Sequence, residues 1–153
     1  MKTPRPQSPA RTLVRDARSA VQACAGWNSR LAARRITRFL DERMAESGVS
    51  VAQFGLMAQI AAASADTLGA LAEQSGLDQS TLSRNLRALE TAGLVEIAIA
   101  EADQRRRAVW LTETGARRLE AALRVWRAAH AELARRMDPS AARRLAAATE
   151  RLA

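Results

Sequence analysis

The sequence predicts a mainly α-helical fold with one small β-hairpin. Apolar residues recur at spacings of three and four over most of the 153 residues, the helical period. That period gives way to strict alternation in one place only, between Gly93 and Leu111. Aromatic residues make up 3% of the chain, so the core is assembled from Ala, Leu and Val, which suits closely packed helices.

Residues 1–10 (MKTPRPQSPA) hold three of the four prolines and no apolar periodicity, and read as a flexible tail. From Leu13 a long first helix begins. Leu13, Ala17, Val21, Cys24, Trp27 and Leu31 lie on one stripe, which continues through Ile36, Phe39, Leu40 and Met44 with an interruption expected near Gly26. Ser50 is placed to cap a second helix bearing Val51, Phe54, Met57 and Ile60. A short helix from about Leu68 to Ser75 ends at Gly76. Asp78 then caps a helix with Leu82, Leu86 and Leu89 on one side, stopped by Gly93.

Val95, Ile97 and Ile99 alternate along a first strand, and Val109 and Leu111 mark a second; the charged stretch 101–107 lies between them. Thr112 caps a long helix in which Leu119, Leu123, Trp126, His130, Leu133 and Met137 form a heptad-like seam. Asp138-Pro139 reads as the cap and first residue of a final helix carrying Leu145 and Leu152.

Composition excludes several function classes. One cysteine, Cys24, forms no internal disulfide, and with one histidine, His130, leaves too few ligands for a structural zinc or iron site, so no metal or cofactor is expected. That histidine and cysteine lie far apart, and there is no glycine-rich phosphate loop or paired catalytic carboxylate, so no enzyme is expected. No apolar run approaches a membrane span and no signal peptide precedes the first helix, which points to the cytoplasm. The net charge of +8 suits a polyanionic partner, although 23 of the 24 basic residues are Arg and an Arg- and Ala-rich chain also follows from a GC-rich genome.

Residues 68–90, LGALAEQSGLDQSTLSRNLRALE, have the makings of a helix-turn-helix. Ala72 supplies the small residue where two helices cross, Gly76 tolerates a positive φ in the turn, and Leu71, Leu77, Leu82 and Leu86 close an apolar wedge. The opposite face of the second helix then presents Gln79, Ser80, Ser83, Arg84 and Arg87, groups suited to base edges and phosphates. The hairpin tip that follows, Asp103-Gln104-Arg105-Arg106-Arg107, fits a minor groove, with Asp103 placed to brace Arg105.

These segments resemble the MarR family of transcription regulators. The resemblance rests on DQSTLSRNLRALETAGLV, on ADQRRRAVWLTETG, and on the long helices at both ends. It implies a winged helix-turn-helix lobe over 50–111 within a single domain of residues 11–153, flanked by dimerisation helices over 11–47 and 113–153. It further implies an obligate homodimer on double-stranded DNA at a pseudo-palindromic operator, acting as a repressor released by a ligand. Ser80, Thr81, Ser83, Arg84 and Arg87 match the family's major-groove positions, and Asp103, Arg105 and the neighbouring Arg106 its wing.

For the effector, Trp27, Arg30 and Arg34 with Phe54 and Met57 could line a site for a small aromatic or anionic molecule, a guanidinium pairing its carboxylate. The same residues serve equally as plain core and solvated surface. Some relatives sense peroxide through a first-helix cysteine activated by tyrosines, but that position matches Gly26 here and the chain has no Tyr. Cys24 on its apolar stripe reads as core, with a thiol-based redox-sensing repressor switched through Cys24 as the alternative to ligand release. A winged-helix adaptor without an operator remains a rival, disfavoured by the retained Ser83, Arg84, Arg87 and Arg105.

Overall fold

The computed structural model describes residues 11–62, 67–100 and 103–152, without the side chains of residues 11, 99, 100 and 103–107. The expected tail over 1–10 therefore lies outside the described residues. The chain divides into two compact units, one up to Arg38 and one from Phe39.

In the first unit, α1 (Arg11–Ala23) and the start of α2 (Ala25–Met44) are separated by Cys24 alone, two residues before the expected break. The cause is local. The Asn28 side-chain amide donates to the carbonyls of Gln22 (2.9 Å) and Cys24 (3.0 Å), and the Trp27 N–H reaches the Cys24 sulfur at 3.4 Å. Side chains thus compete with the helix for its own backbone groups. Cys24 is exposed, not core as its stripe suggested.

The second unit is built around one core. A 3-10 turn, Ala45–Ser47, leads through Gly48 at φ 72° into α3 (Val51–Ala61). Ser50 and Gln53 close a reciprocal capping box, and Asp41 accepts from the Val51 N–H at 2.7 Å, so three backbone N–H groups at the start of α3 have side-chain partners. Then follow α4 (Leu68–Ser75), capped by Thr67, and α5 (Gln79–Thr91), capped by Asp78. The hairpin β1 (Val95–Ala100) and β2 (Asp103–Leu111) is antiparallel, with Val95 opposite Leu111, Ile97 opposite Val109 and an irregularity after Ile99. The expected charged tip over 101–107 is corrected over 103–107, which is strand backbone, with Arg107 opposite Ile99 and Asp103 opposite Ala100 across the irregularity. Thr67 adds a single antiparallel bridge to Ala108.

α6 (Glu113–Ala134) starts at the Thr112 cap. α7 begins at Ser140 rather than Pro139 (Ser140–Thr149), since Pro139 offers no capping side chain, while Asp138 accepts from the Ser140 N–H at 2.9 Å. Leu145 and Leu152 at this end are exposed.

Met44, Leu56, Met57, Leu71, Leu89 and Val95 are completely enclosed, joined by Phe54, Leu82, Leu86, Val109 and Leu119. Each such side chain contributes about 1.5–3 kcal/mol through burial. Leu82, Leu86 and Leu89 thereby seat α5 with its other face turned outward.

Candidate nucleic-acid interface

The position of α5 follows from three constraints that its sequence sets. Gly76, at φ 63°, allows the chain to leave α4 in a left-handed conformation that a Cβ would oppose. Leu71, Leu82 and Leu86 are buried and Ala72 and Leu77 half-buried at the crossing, so the apolar wedge read from the sequence is closed. Asp78 then ties down the first turn. Its Oδ1 accepts from the Ser80 hydroxyl (2.6 Å) and the Thr81 N–H (2.9 Å), and its Oδ2 from the Thr81 hydroxyl (2.7 Å). These bonds, the Ser80 hydroxyl first, hold the Asp78 carboxyl well below the usual carboxylate range.

The outward face carries Gln79, Ser80, Ser83, Arg84 and Arg87, all exposed. Ser80, Ser83, Arg84 and Arg87 are spaced three and four apart and share one side of the helix. Ser80 and Thr81 differ from the rest: both hydroxyl protons are engaged by Asp78, and Thr81 is half-buried. They retain acceptor lone pairs but no free donor. Among the described residues, Ser83, Arg84 and Arg87 form no side-chain hydrogen bond. The side chains of Asp103, Arg105 and Arg106 lie outside the described residues, including the expected Asp103–Arg105 brace.

At the far end of α5 the hairpin is clamped. The Thr112 hydroxyl donates to the Gly93 carbonyl (2.6 Å) and the Thr112 N–H to the Leu94 carbonyl (3.1 Å). Gly115, in the first turn of α6, lies so close to Leu94 that a Cβ there would overlap the Leu94 carbonyl oxygen. Sequence reasoning assigned no role to Gly115. Its only signal was a glycine in the first turn of an otherwise strong helix.

A second joint, also unread, fixes α6 to the end of α2. The Arg43 guanidinium forms a two-pronged bridge to Glu132 (2.7 and 2.6 Å), and Arg136 also bonds Glu132 at 2.9 Å. Arg43 lies over the Phe39 ring, 3.5 Å from its centroid, and Arg136 at 5.1 Å. The bond from Arg43 holds the Glu132 carboxyl below its usual range. Just before Glu132 the seam is aromatic: Phe54 stacks on Trp126 (5.6 Å) and Trp126 contacts His130 (4.3 Å), whose pKa burial pushes down.

The proposed effector residues divide between the two units. Trp27, Arg30 and Arg34 are exposed, Trp27 at 57%. Phe54 and Met57 are core: Met57 is completely enclosed, and Phe54 is covered by Trp126, so neither offers an open wall. Among the described residues no group of three metal-ligating side chains occurs, and no helix is long and apolar enough to cross a membrane.

A sequence profile of the MarR family matches residues 47–106, the lobe that holds α3, α4, α5 and most of the hairpin. The fold is similar to the transcriptional regulator MosR of M. tuberculosis, solved with DNA, at 30% identity and a TM-score of 0.74, covering 84% of this chain and 96% of that one. The chain belongs to the MarR family of transcription regulators. The wild-type apo form of E. coli MarR is also similar, at 25% identity and a TM-score of 0.63 over 84% of this chain and 96% of that one. S. aureus MepR, in a DNA complex, shares the fold at 18% identity with a TM-score of 0.65, over 84% and 95%. No match was found among curated protein sequences. As a MarR-family regulator this chain keeps the winged-helix frame of mostly helix with one two-stranded hairpin.

Proposed function

We propose that this MarR-family regulator binds DNA sequence-specifically, as a cytoplasmic homodimer on a pseudo-palindromic operator, and represses transcription. The observation that carries the reading is the exposed row Ser80, Ser83, Arg84 and Arg87, borne on a helix whose other face is locked into the core. Arg84 and Arg87 read guanine edges or hold phosphates, and Ser83 approaches a base closely. Gln79 and the lone pairs of Ser80 and Thr81 meet the groove at the N-terminus of α5. Asp103, Arg105 and Arg106 on the hairpin reach the neighbouring minor groove. Support comes from the similar MosR, which was solved in complex with DNA.

The second copy is drawn by the stripe on the N-terminal helices. Leu13, Val14, Val21 and Trp27 are exposed large apolar residues on one short stretch, and a patch of this kind marks an association surface. A small aromatic or anionic effector would release the DNA through Trp27, Arg30 and Arg34, the members of the expected set that are exposed.

Footprinting on DNA flanking the protein's own gene tests the central reading. Protected half-sites about one helical turn apart, with affinity falling steeply as salt rises, are expected. Equal affinity for the flanking DNA and for random duplex would overturn it.

A further inference from the structure

The outer side of the hairpin base carries a groove that DNA reading leaves unused. It holds about 490 Å³, within the range of small-molecule sites. Val95 and Val109 are buried in the core, so strand alternation places Glu96 and Trp110 on the opposite face, where they stand directly across from each other in the register. Ala98 beside them is small enough to leave the indole open, and Trp110 is 41% exposed, uncommon for a large aromatic with no apolar cover. Glu90, from the last turn of α5, forms the third wall.

The charge here runs against the rest of the molecule. The two stretches that build the groove, 88–98 and 108–116, contain Glu90, Glu96 and Glu113 and no Lys or Arg, in a chain of net charge +8. Glu113 is paired with Arg117, whereas among the described residues neither Glu90 nor Glu96 forms a side-chain hydrogen bond or ion pair. Thr112, bonded to the Gly93 and Leu94 carbonyls, stiffens the floor.

We propose that this groove binds a small organic cation, its positive head over the Trp110 indole and between the Glu90 and Glu96 carboxylates. An indole face attracts a cation most strongly among the aromatic side chains, and two unpaired carboxylates add Coulomb attraction on the same side. An indole gives a metal ion no ligand, and the two carboxylates alone are no metal site, so the fitting partner is a quaternary or protonated amine with apolar substituents. Binding does not depend on α5 reading DNA, so each claim stands or falls separately.

The test is calorimetric titration of the full chain, without DNA, with benzyltriethylammonium. Saturable binding with one cation per chain is expected. Trp110→Leu should weaken it roughly tenfold, and Glu90→Gln and Glu96→Gln each roughly fivefold. An uncharged analogue with carbon in place of the ammonium nitrogen should bind at least about tenfold more weakly. If Trp110→Leu fails to fold, the Glu90→Gln/Glu96→Gln double variant carries the test, since both side chains are exposed. Absence of saturable binding, unchanged affinity in these variants, or equal affinity for the uncharged analogue would each overturn the proposal.

Discussion

α1 and α5 are both thirteen residues long and both carry an apolar stripe, yet their stripes end in opposite environments. Leu82, Leu86 and Leu89 of α5 are buried within the chain, whereas Leu13, Val14 and Val21 of α1 face solvent. Nor are the ends treated alike. α5 begins at a side-chain cap with three bonds to Asp78 and ends at a clamp from Thr112, while the last turn of α1 meets the Asn28 amide on its Gln22 carbonyl. An amphipathic helix left uncovered has no use for its stripe unless something else supplies the other half. One region is therefore finished by its own chain, and the other leaves its stripe uncovered, as the proposed homodimer requires.

The largest effect expected from this contrast is on association. Val21→Ser with Trp27→Ser should cost the dimer about 4 kcal/mol, roughly a thousandfold in dissociation constant, because four half-exposed side chains, two from each copy, lose the rest of their burial. Sedimentation at micromolar protein should show monomer with an unchanged melting transition for the lobe. A dimer as tight as the parent's would mean that the stripe is not the interface.

On the finished side, Gly115→Ala should lower stability by about 3 kcal/mol in urea unfolding, since the new methyl overlaps a backbone carbonyl that cannot turn away. Asp78→Ala comes next. Losing the cap should lower the melting temperature by about 3 °C and weaken DNA binding roughly tenfold by loosening the first turn of α5. Asp78→Asn should retain most of both, because an amide oxygen still accepts from the Thr81 N–H.

The smallest effect concerns pH. Burial lowers the folded-state pKa of His130, so its neutral form favours the folded state. Its contribution is present above the unfolded histidine pKa and is lost as pH falls through that value towards the folded one. Melting between pH 7.5 and 5.5 should therefore decline less in His130→Gln than in the parent.

Periodicity and caps were legible because each depends on neighbours in sequence. Ser50, Thr112 and Asp78 are capping residue types placed where a helical apolar period begins, and Leu71, Leu82 and Leu86 repeat with the helix. What escaped reading depends on neighbours in space. Nothing in the sequence joins Arg43 to Glu132, and the meeting of Gly115 with Leu94 requires the hairpin between them to be folded first. Phe54 and Met57 read equally as pocket or core until Trp126 covered one and the surrounding helices enclosed the other. The donors of Ser80 and Thr81 looked free because the sequence shows which groups a residue has, not which are already engaged.

The missing side chain at Gly115 has a mechanical meaning. With Leu94 resting directly on its backbone, the start of α6 works as a fulcrum, separated from the end of α5 by no compressible layer. A tilt of α6 of even a fraction of an ångström is passed on rather than absorbed. Any bending of α6 thus has a lever arm already attached to the helix that faces outward.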